Sequence, residues 1–468
     1  MATYHDIIEH QYNLSPHQLG LLAYSNPNVF PLRSLLSHEL TAGDNGTDIG
    51  SDNYLRASDY IFIKAKAASS ESYTIDLTSP ESFEFMNRHA FKPQELKAGD
   101  ILISKDSNIG ECCILDRDYP RGMLASAFYK LPLDKYKYYI FAFMKTVHFK
   151  DQLDLMVPRG ATIRHAGTKF LDCDIPFPSG PDSANIINQI EALVASLINR
   201  EQCIKTTESQ IFALIEKELV NRSHASPYAL PTYQEILAAS RTDAGYYCED
   251  CRRISSLVRN YTGGFSTLRG FGYTISRGQN LQISCIGKSI ESSTKEANFY
   301  KVVKPTNLSD YGTVKSYDYL GNKNQLALLK DGDIVFSAEG TIGKCAMFSD
   351  VGDEKIITNI HGIILNKTNH DVVESGFVCC FLRYLRKVGF LDYLSVGGQG
   401  GSLAMKYWDD VIIPRFPDSL MRQISDLYCG ESGSIISLAD EAKSLRSTLG
   451  RIFDLIVSHS DLSLADLT

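Results

Sequence analysis

Two groups of long polar side chains stand beside short glycine turns, and their types suit the reading of nucleic-acid edges. The first group is Lys105, Arg159, Arg164, His165 and Lys169. The second centres on Arg269-Gly-Phe-Gly-Tyr-Thr-Ile-Ser-Arg277-Gly-Gln279-Asn280, with Lys304, Asn307, Lys344, Gln399 and Lys406 as further candidates. Arginine, lysine, asparagine and glutamine hydrogen-bond base edges and hold phosphates, so the chemistry on offer is recognition of DNA. Taken one at a time each reads more readily as a solvated surface group; the set carries the reading.

Bond-breaking chemistry has no comparable constellation. The chain lacks a G-x-x-x-x-G-K-[ST] phosphate loop, an H-E-x-x-H pair and the N-P-P-[YF] or D-P-P-[YF] run of adenine methyltransferases. The adjacent acids Asp409 and Asp410 read as solvated. Cys248 and Cys251 have CxxC spacing, but no second Cys/His pair follows at a finger-like distance. Cys112, Cys113, Cys379 and Cys380 sit in apolar runs as small hydrophobes. The expectation is therefore no catalytic residue, no metal site and no cofactor of the chain's own.

Bulk properties bound the rest. At 468 residues the chain exceeds what one core supports, so two domains are expected. Neither a secretory leader at the polar start nor an apolar run long enough to span a bilayer is legible, which predicts a soluble cytoplasmic protein with no membrane partner. The net charge of −8 opposes a phosphate-bearing partner until its distribution is counted. Residues 25–180 hold 18 basic and 20 acidic groups and residues 227–417 hold 21 and 19, leaving 8 and 16 for all other segments. The acidic excess thus lies outside the two candidate reading segments, where any DNA face must be a local patch.

An internal repeat organises these residues. Leu96-Lys97-Ala98-Gly99-Asp100-Ile101-Leu102-Ile103-Ser104, then Ile109-Gly110-Glu111-Cys112, recurs as Leu329-Lys330-Asp331-Gly332-Asp333-Ile334-Val335-Phe336-Ser337, then Ile342-Gly343-Lys344-Cys345. Gly-Asp before an apolar run predicts a turn entering a buried strand. A second landmark, Gly160-Ala161-Thr162-Ile163 with Lys169-Phe170-Leu171 and Ile175-Pro176, answers Gly400-Gly401-Ser402-Leu403 with Lys406-Tyr407-Trp408 and Ile413-Pro414. Such glycines suit close approach to a phosphate, or simply turn the chain. Residues 226–265, with Tyr246, Tyr247, Arg252, Arg253 and Gly263-Gly264, have no counterpart in the first half.

After each Ile-Pro the period changes to that of a helix. Ile190, Leu197, Ile204 and Ile211 recur at seven-residue steps, and Ile424, Leu438, Leu445 and Ile452 share one phase. Matched ends lie 21 residues apart in the first segment and 28 in the second, which predicts paired helices differing by one heptad. Helices of this length would run on the order of 55 Å. Gly430 and Gly433 weaken the second and predict a fray or kink there.

Domain, long helix, domain, long helix, with these repeated landmarks, resembles the specificity (S) subunit of type I restriction-modification systems over nearly the whole chain. The resemblance implies a mixed α/β fold with a pseudo-two-fold internal repeat. It comprises a first target recognition domain over 1–180, a central helix over 181–225, a second recognition domain over 226–417, a C-terminal helix over 418–458 and a tail over 459–468. It also implies that the long helices form an antiparallel coiled coil, and that each domain reads half of a bipartite, asymmetric double-stranded DNA target. Two DNA methyltransferase (M) subunits, with restriction (R) subunits as optional additions, would dock on the chain and carry S-adenosylmethionine, ATP and Mg. A methylation-only complex and a protein-only assembly scaffold remain open as alternatives. Recognition domains of that family diverge, so the landmarks transfer and base-contacting residues do not.

Overall fold

The computed structural model describes residues 25–79, 81–106, 108–157, 166–224, 226–397 and 401–467. The chain forms a mixed α/β fold of two compact units, Met1–Gln202 with Asp440–Thr468, and Cys203–Ala439. Their boundaries fall inside helices, because the helices supply core rather than standing apart from it. In the first unit Ile190, Val194 and Leu197 are buried with Ile452, Phe453 and Ile456 beneath Phe141 and Phe143. In the second, Ile204, Ile211, Ile215 and Leu219 are buried with Phe381 and Ile424.

The two units repeat one topology. In the first, a four-stranded sheet runs in the order Tyr54–Leu55, Phe83–Met86, Ile61–Ile63, Gly122–Leu124, the last two parallel. In the second the order is Ser289–Ser292, Asp318–Asn322, Tyr300–Val303, Ile356–Thr358, and again the last two are parallel. Ile101–Ser104 lies between Cys112–Ile114 and Phe128–Leu131, just as Ile334–Ser337 lies between Cys345–Met347 and Gly362–Lys367. The second unit adds an edge strand, Tyr273–Arg277, beside Gly362–Lys367. Each unit closes with an antiparallel pair ending in the Ile-Pro landmark: Val29–Pro31 with Asp174–Pro176, and Phe265–Thr267 with Ile412–Pro414.

The Gly-Asp landmarks are turns whose chemistry is internal. Gly99 and Gly332 take φ of 85° and 81°, a left-handed conformation that costs other residues strain. The following carboxylate folds back, and Asp100 and Asp333 each accept the backbone N–H three residues earlier, from Lys97 and Lys330, at 2.9 Å. Every residue of both following strands is buried. Gly110 and Gly343 also have positive φ and lie under a leucine of the neighbouring helix, Leu153 and Leu391 respectively.

The central helix, Ser183–Arg222, is continuous for 40 residues. In the first unit it is antiparallel to the C-terminal helix. Ser179, just before it, donates its N–H to Ser460 O at 2.6 Å, just past the end of the C-terminal helix, while Arg200 in mid-helix pairs with Glu441 near that helix's start at 2.6 Å. The expected second long helix is two helices, Asp418–Cys429 and Ile435–Ser458. Gly430 ends the first, its N–H on the Asp426 carbonyl, and Gly433 takes a φ of 72° within the break. The extra seven residues therefore span a non-helical break and do not add a heptad. Two glycines three positions apart cost about 2 kcal/mol of helix propensity, enough to break the run where the apolar stripe is thin.

One buried carboxylate fixes the central helix to the first unit's sheet loop. Glu201 accepts the backbone N–H groups of Tyr73 (3.0 Å) and Thr74 (2.8 Å), the hydroxyls of Ser72 (3.1 Å) and Thr74 (2.8 Å), and Arg446 Nη1 at 3.0 Å. Glu201→Gln keeps one acceptor oxygen but loses the charge that strengthens these bonds. Its expected cost is about 1–2 kcal/mol, read as a lower denaturant midpoint with an unchanged slope.

Candidate nucleic-acid interface

The same four segments converge beside the end of the buried central strand in each unit. In the second unit the edge strand leaves through Arg277-Gly278-Gln279, where Gly278 N–H donates to Gly362 O (2.8 Å) and Gln279 N–H to Thr358 O (3.0 Å). In the first, Asn45-Gly46-Thr47 takes that place: Gly46 N–H donates to Phe128 O and Thr47 N–H to Leu124 O, both at 2.9 Å. Arg277 pairs with Ile363 and Asn45 with Tyr129, each the second residue of the equivalent strand or one beyond its start. Asn45-Gly46-Thr47 and Arg277-Gly278-Gln279 are thus equivalent, a third landmark that the sequence comparison missed. The signal was present, since Gly46 lies 54 residues before Asp100 and Gly278 lies 55 before Asp333.

The other convergent segments corroborate the register. Ser104 and Ser337 end the central strands and cap the next turn, donating Oγ–H to Asp106 O at 2.9 Å and to Glu339 O at 3.2 Å. Across from them, Ala166 N–H donates to Lys105 O and Leu403 N–H to Ala338 O, both at 2.9 Å. Ala166, not Ile163, is therefore the structural partner of Leu403. The first half carries three additional residues between its Gly-Ala-Thr-Ile run and Lys169 that the eye aligns away. Arg159, Arg164, His165 and the Gly160–Ile163 landmark lie outside the described residues, as does Gln399.

Different side chains furnish the two equivalent positions. In the first unit Lys105 Nζ donates to Asn45 Oδ1 at 3.0 Å and sits 4.6 Å from the centre of the Tyr129 ring. In the second, Arg277 Nη1 donates to Glu339 Oε1 (3.1 Å) and to Ile360 O (3.2 Å), and His361 Nδ1 lies 3.1 Å from Glu339 Oε2. The His361 hydrogen bond, helped by Arg277, holds the Glu339 carboxyl below the usual glutamate range. These groups are exposed: 40% for Arg277, 37% for Glu339 and 61% for His361. Gln279 is tied by its side-chain oxygen to Ala327 N–H at 3.1 Å, and Asn280 Oδ1 accepts from Gln282 N–H in a local turn. Glu339, His361 and Asn45 were not among the sequence candidates. Neighbourhoods made by strand pairing between residues 22 to 62 positions apart leave no local pattern.

The remaining candidates lie elsewhere. Arg269 pairs with Asp409 (3.2 Å), Lys304 with Asp318 (3.1 Å), and Lys169 donates to Met156 O (2.9 Å). Exposed Lys406 lies over the Tyr407 ring. Asn307 caps its own turn, accepting Lys304 N–H at 2.7 Å. Lys344 is mostly buried and, with Arg386, clamps Asp310 (2.9 and 2.6 Å). Burial pushes the Asp310 carboxyl up, but Arg386 and Lys344 outweigh it and hold it below the usual aspartate range. A folded-state pKa below the unfolded one contributes stability above the ordinary aspartate range and loses it as pH falls through the folded value. Asp310→Asn is accordingly expected to remove part of the acid-limb slope in a pH series of denaturant midpoints.

The second unit's unmatched segment builds a separate feature. Helices Tyr233–Ala239 and Glu249–Arg259, with Phe390 and Leu394, line a cleft of about 540 Å³. Buried Arg241 lies 4.4 Å from the centres of both the Tyr246 ring, which lines the cleft, and the Tyr407 ring, and donates to Leu394 O at 2.9 Å. The CxxC pair serves the helix start, Cys248 Sγ accepting Cys251 N–H at 3.4 Å. Among the described residues no three His, Cys, Asp or Glu side chains are grouped to hold a metal, and no helix is long and apolar enough to cross a membrane.

No protein-family model and no curated protein matches the chain. Solved structures do. A type I restriction-modification S subunit from M. genitalium is 13% identical, with 92% of this chain and 94% of that one covered at a TM-score of 0.40. The HsdS subunit from Thermoanaerobacter tengcongensis is 14% identical over 92% and 97%, at 0.29. A chain from a structure concerned with complex assembly and conformational transition of the type I R-M system is 14% identical over 94% and 100%, at 0.27. The solved structures named here, to which this chain is similar along more than nine-tenths of its length, thus come from type I restriction-modification systems, two of them being S subunits.

Proposed function

We propose that this chain is the DNA-reading specificity subunit of a type I restriction-modification complex, each unit reading one half of a bipartite, asymmetric target. The observation that carries the reading is the duplicated convergence of four segments onto one exposed place per unit. Their backbone register is shared and their side chains are not: Asn45 and Lys105 in one, Arg277, Glu339 and His361 in the other. A shared frame with unlike polar tips is what reading two different half-sites requires. The chain carries no catalysis on this reading. Two methyltransferase subunits would bring S-adenosylmethionine, and restriction subunits, where present, ATP and Mg. The helical segments would set the separation of the half-sites.

Purified chain with its methyltransferase subunits is expected to prefer one bipartite duplex over scrambled competitor in a gel-shift competition at fixed salt. Equal affinity for all duplexes would remove the proposal. Lys105→Ala is expected to weaken specific binding by roughly 5- to 20-fold and to relax preference in one half-site only, scored by selection from a randomised duplex library.

A further inference from the structure

We infer that Arg277 and Glu339 together read a G·C base pair in the half-site of the second unit, Arg277 donating to the guanine and Glu339 accepting from the cytosine amino group. The inference rests on the DNA-reading proposal and deepens it.

Three features of the geometry support it. Arg277 spends only Nη1 on the protein, to Glu339 Oε1 and Ile360 O. That contact fixes the guanidinium plane and leaves the Nε–Nη2 edge, two parallel N–H donors, without a hydrogen bond among the described residues. A two-donor fork matches the O6 and N7 acceptors of guanine in the major groove. Glu339 is the second feature. Each of its oxygens takes one bond, from Arg277 and from His361, and each retains a lone pair. A carboxylate in a DNA interface is costly beside phosphates unless it meets a donor, and cytosine N4 is the donor that a G·C pair presents beside its guanine acceptors. Thirdly, the place is built to be held still while exposed. Gly278 lets the backbone of Arg277 lie against the Thr358–Asn359 carbonyls, and an added Cβ there would stand 2.2 Å from Asn359 O.

Glu339 also serves discrimination. With A·T in place of G·C, thymine would set its O4 acceptor and methyl group where the cytosine amino group stood, leaving the ionised carboxylate without a donor. The first unit differs at both positions, Asn45 replacing Arg277 and Asp106 replacing Glu339, so its half-site is not expected to share this base pair.

The test uses the full chain with its methyltransferase subunits and the duplex obtained from library selection. Each guanine of the second half-site is replaced in turn by 7-deazaguanine, which lacks the N7 acceptor. One position is expected to lose about 5- to 100-fold in affinity with the unsubstituted protein and to lose nothing further with Arg277→Ala. Glu339→Gln is expected to bind non-specific duplex more tightly while its preference for G·C at that same position falls. Both side chains are exposed, and unchanged thermal unfolding identifies the variants as folded. Sequence-specific binding in which no guanine depends on Arg277 overturns this inference and leaves the DNA-reading proposal standing. A half-site in which the dependent guanine exists but Glu339→Gln leaves its G·C preference intact overturns the Glu339 half and with it the pair as stated. Absence of any sequence preference overturns both.

Discussion

Arg383→Met is expected to lower the unfolding free energy by about 3–5 kcal/mol, the cost of leaving one charge of a buried pair without its partner. Arg383 is 3% exposed and pairs with Glu208 of the central helix, itself 8% exposed. The guanidinium also lies 5.8 and 5.5 Å from the centres of the Phe212 and Tyr428 rings, while its Nε and Nη1 have no hydrogen-bond partner among the described residues. Cation–ring contact and one ion pair therefore do the work that hydrogen bonds would otherwise share. Methionine fills similar volume, so the loss reports charge more than packing. Removing both charges, in Arg383→Met with Glu208→Leu, is expected to recover most of the loss, because a buried pair replaced by apolar groups is near neutral.

The pH dependence separates this from a packing defect. Burial raises the Glu208 carboxyl above the usual glutamate range even with Arg383 beside it. A raised folded pKa favours the folded state at low pH and loses that stability as pH rises through the folded value. Without Arg383 the carboxyl shifts further up, so the single variant is expected to be closest to the parent near pH 4 and furthest above pH 7. Denaturant midpoints at the two pH values measure it; an equal deficit at both would assign the loss to packing.

Much of this architecture was legible in the residues. The Gly-Asp and Ile-Gly landmarks were readable because a turn into a buried strand demands a left-handed glycine, a carboxylate that folds back and four apolar residues, all contiguous. The Ile190–Ile211 stripe was readable for the same reason, one helix face being one periodic string. The one-heptad difference was not sound: counting residues between matched ends assumes helix throughout, and Gly430 to Ser434 are not helical. The site was only partly legible. Lys105 is legible because it flanks a repeated turn, and Arg277 and Gln279 because they lie in one run of glycines, basic groups and aromatics, whereas Asn45, Glu339 and His361 reach the same place through strand pairing. Lys344 beside a repeated glycine looked equally exposed, yet its partner Asp310 lies 34 residues away and takes it out of solvent. Local sequence shows where the chain turns; it does not show which charge is spent on another.

The sharpest test of the duplicated frame is a pair of single-atom-group insertions, Gly46→Ala in one unit and Gly278→Ala in the other. Alanine's Cβ would lie 1.9 Å from Ala125 O at Gly46 and 2.2 Å from Asn359 O at Gly278, and both oxygens belong to backbone that cannot rotate away. Neither glycine has positive φ, so alanine's own conformation is allowed and the obstacle is the facing carbonyl. The adjacent chain must move by about an ångström, at an expected cost of about 3 kcal/mol to the unit concerned. That movement displaces Asn45 or Arg277 from the place where the four segments meet, and hydrogen bonds to base edges do not survive such displacement. Each variant is therefore expected to lose roughly 10- to 100-fold in specific affinity and to lose preference at one half-site while retaining it at the other. Gly50→Ala, where a Cβ meets nothing within 4 Å, is the matched control and should change neither quantity. If Gly46→Ala and Gly278→Ala degraded the same half-site, the equivalence of the two segments would have no functional meaning. Loss at opposite halves would tie each glycine's close approach to the reading of its own sequence element.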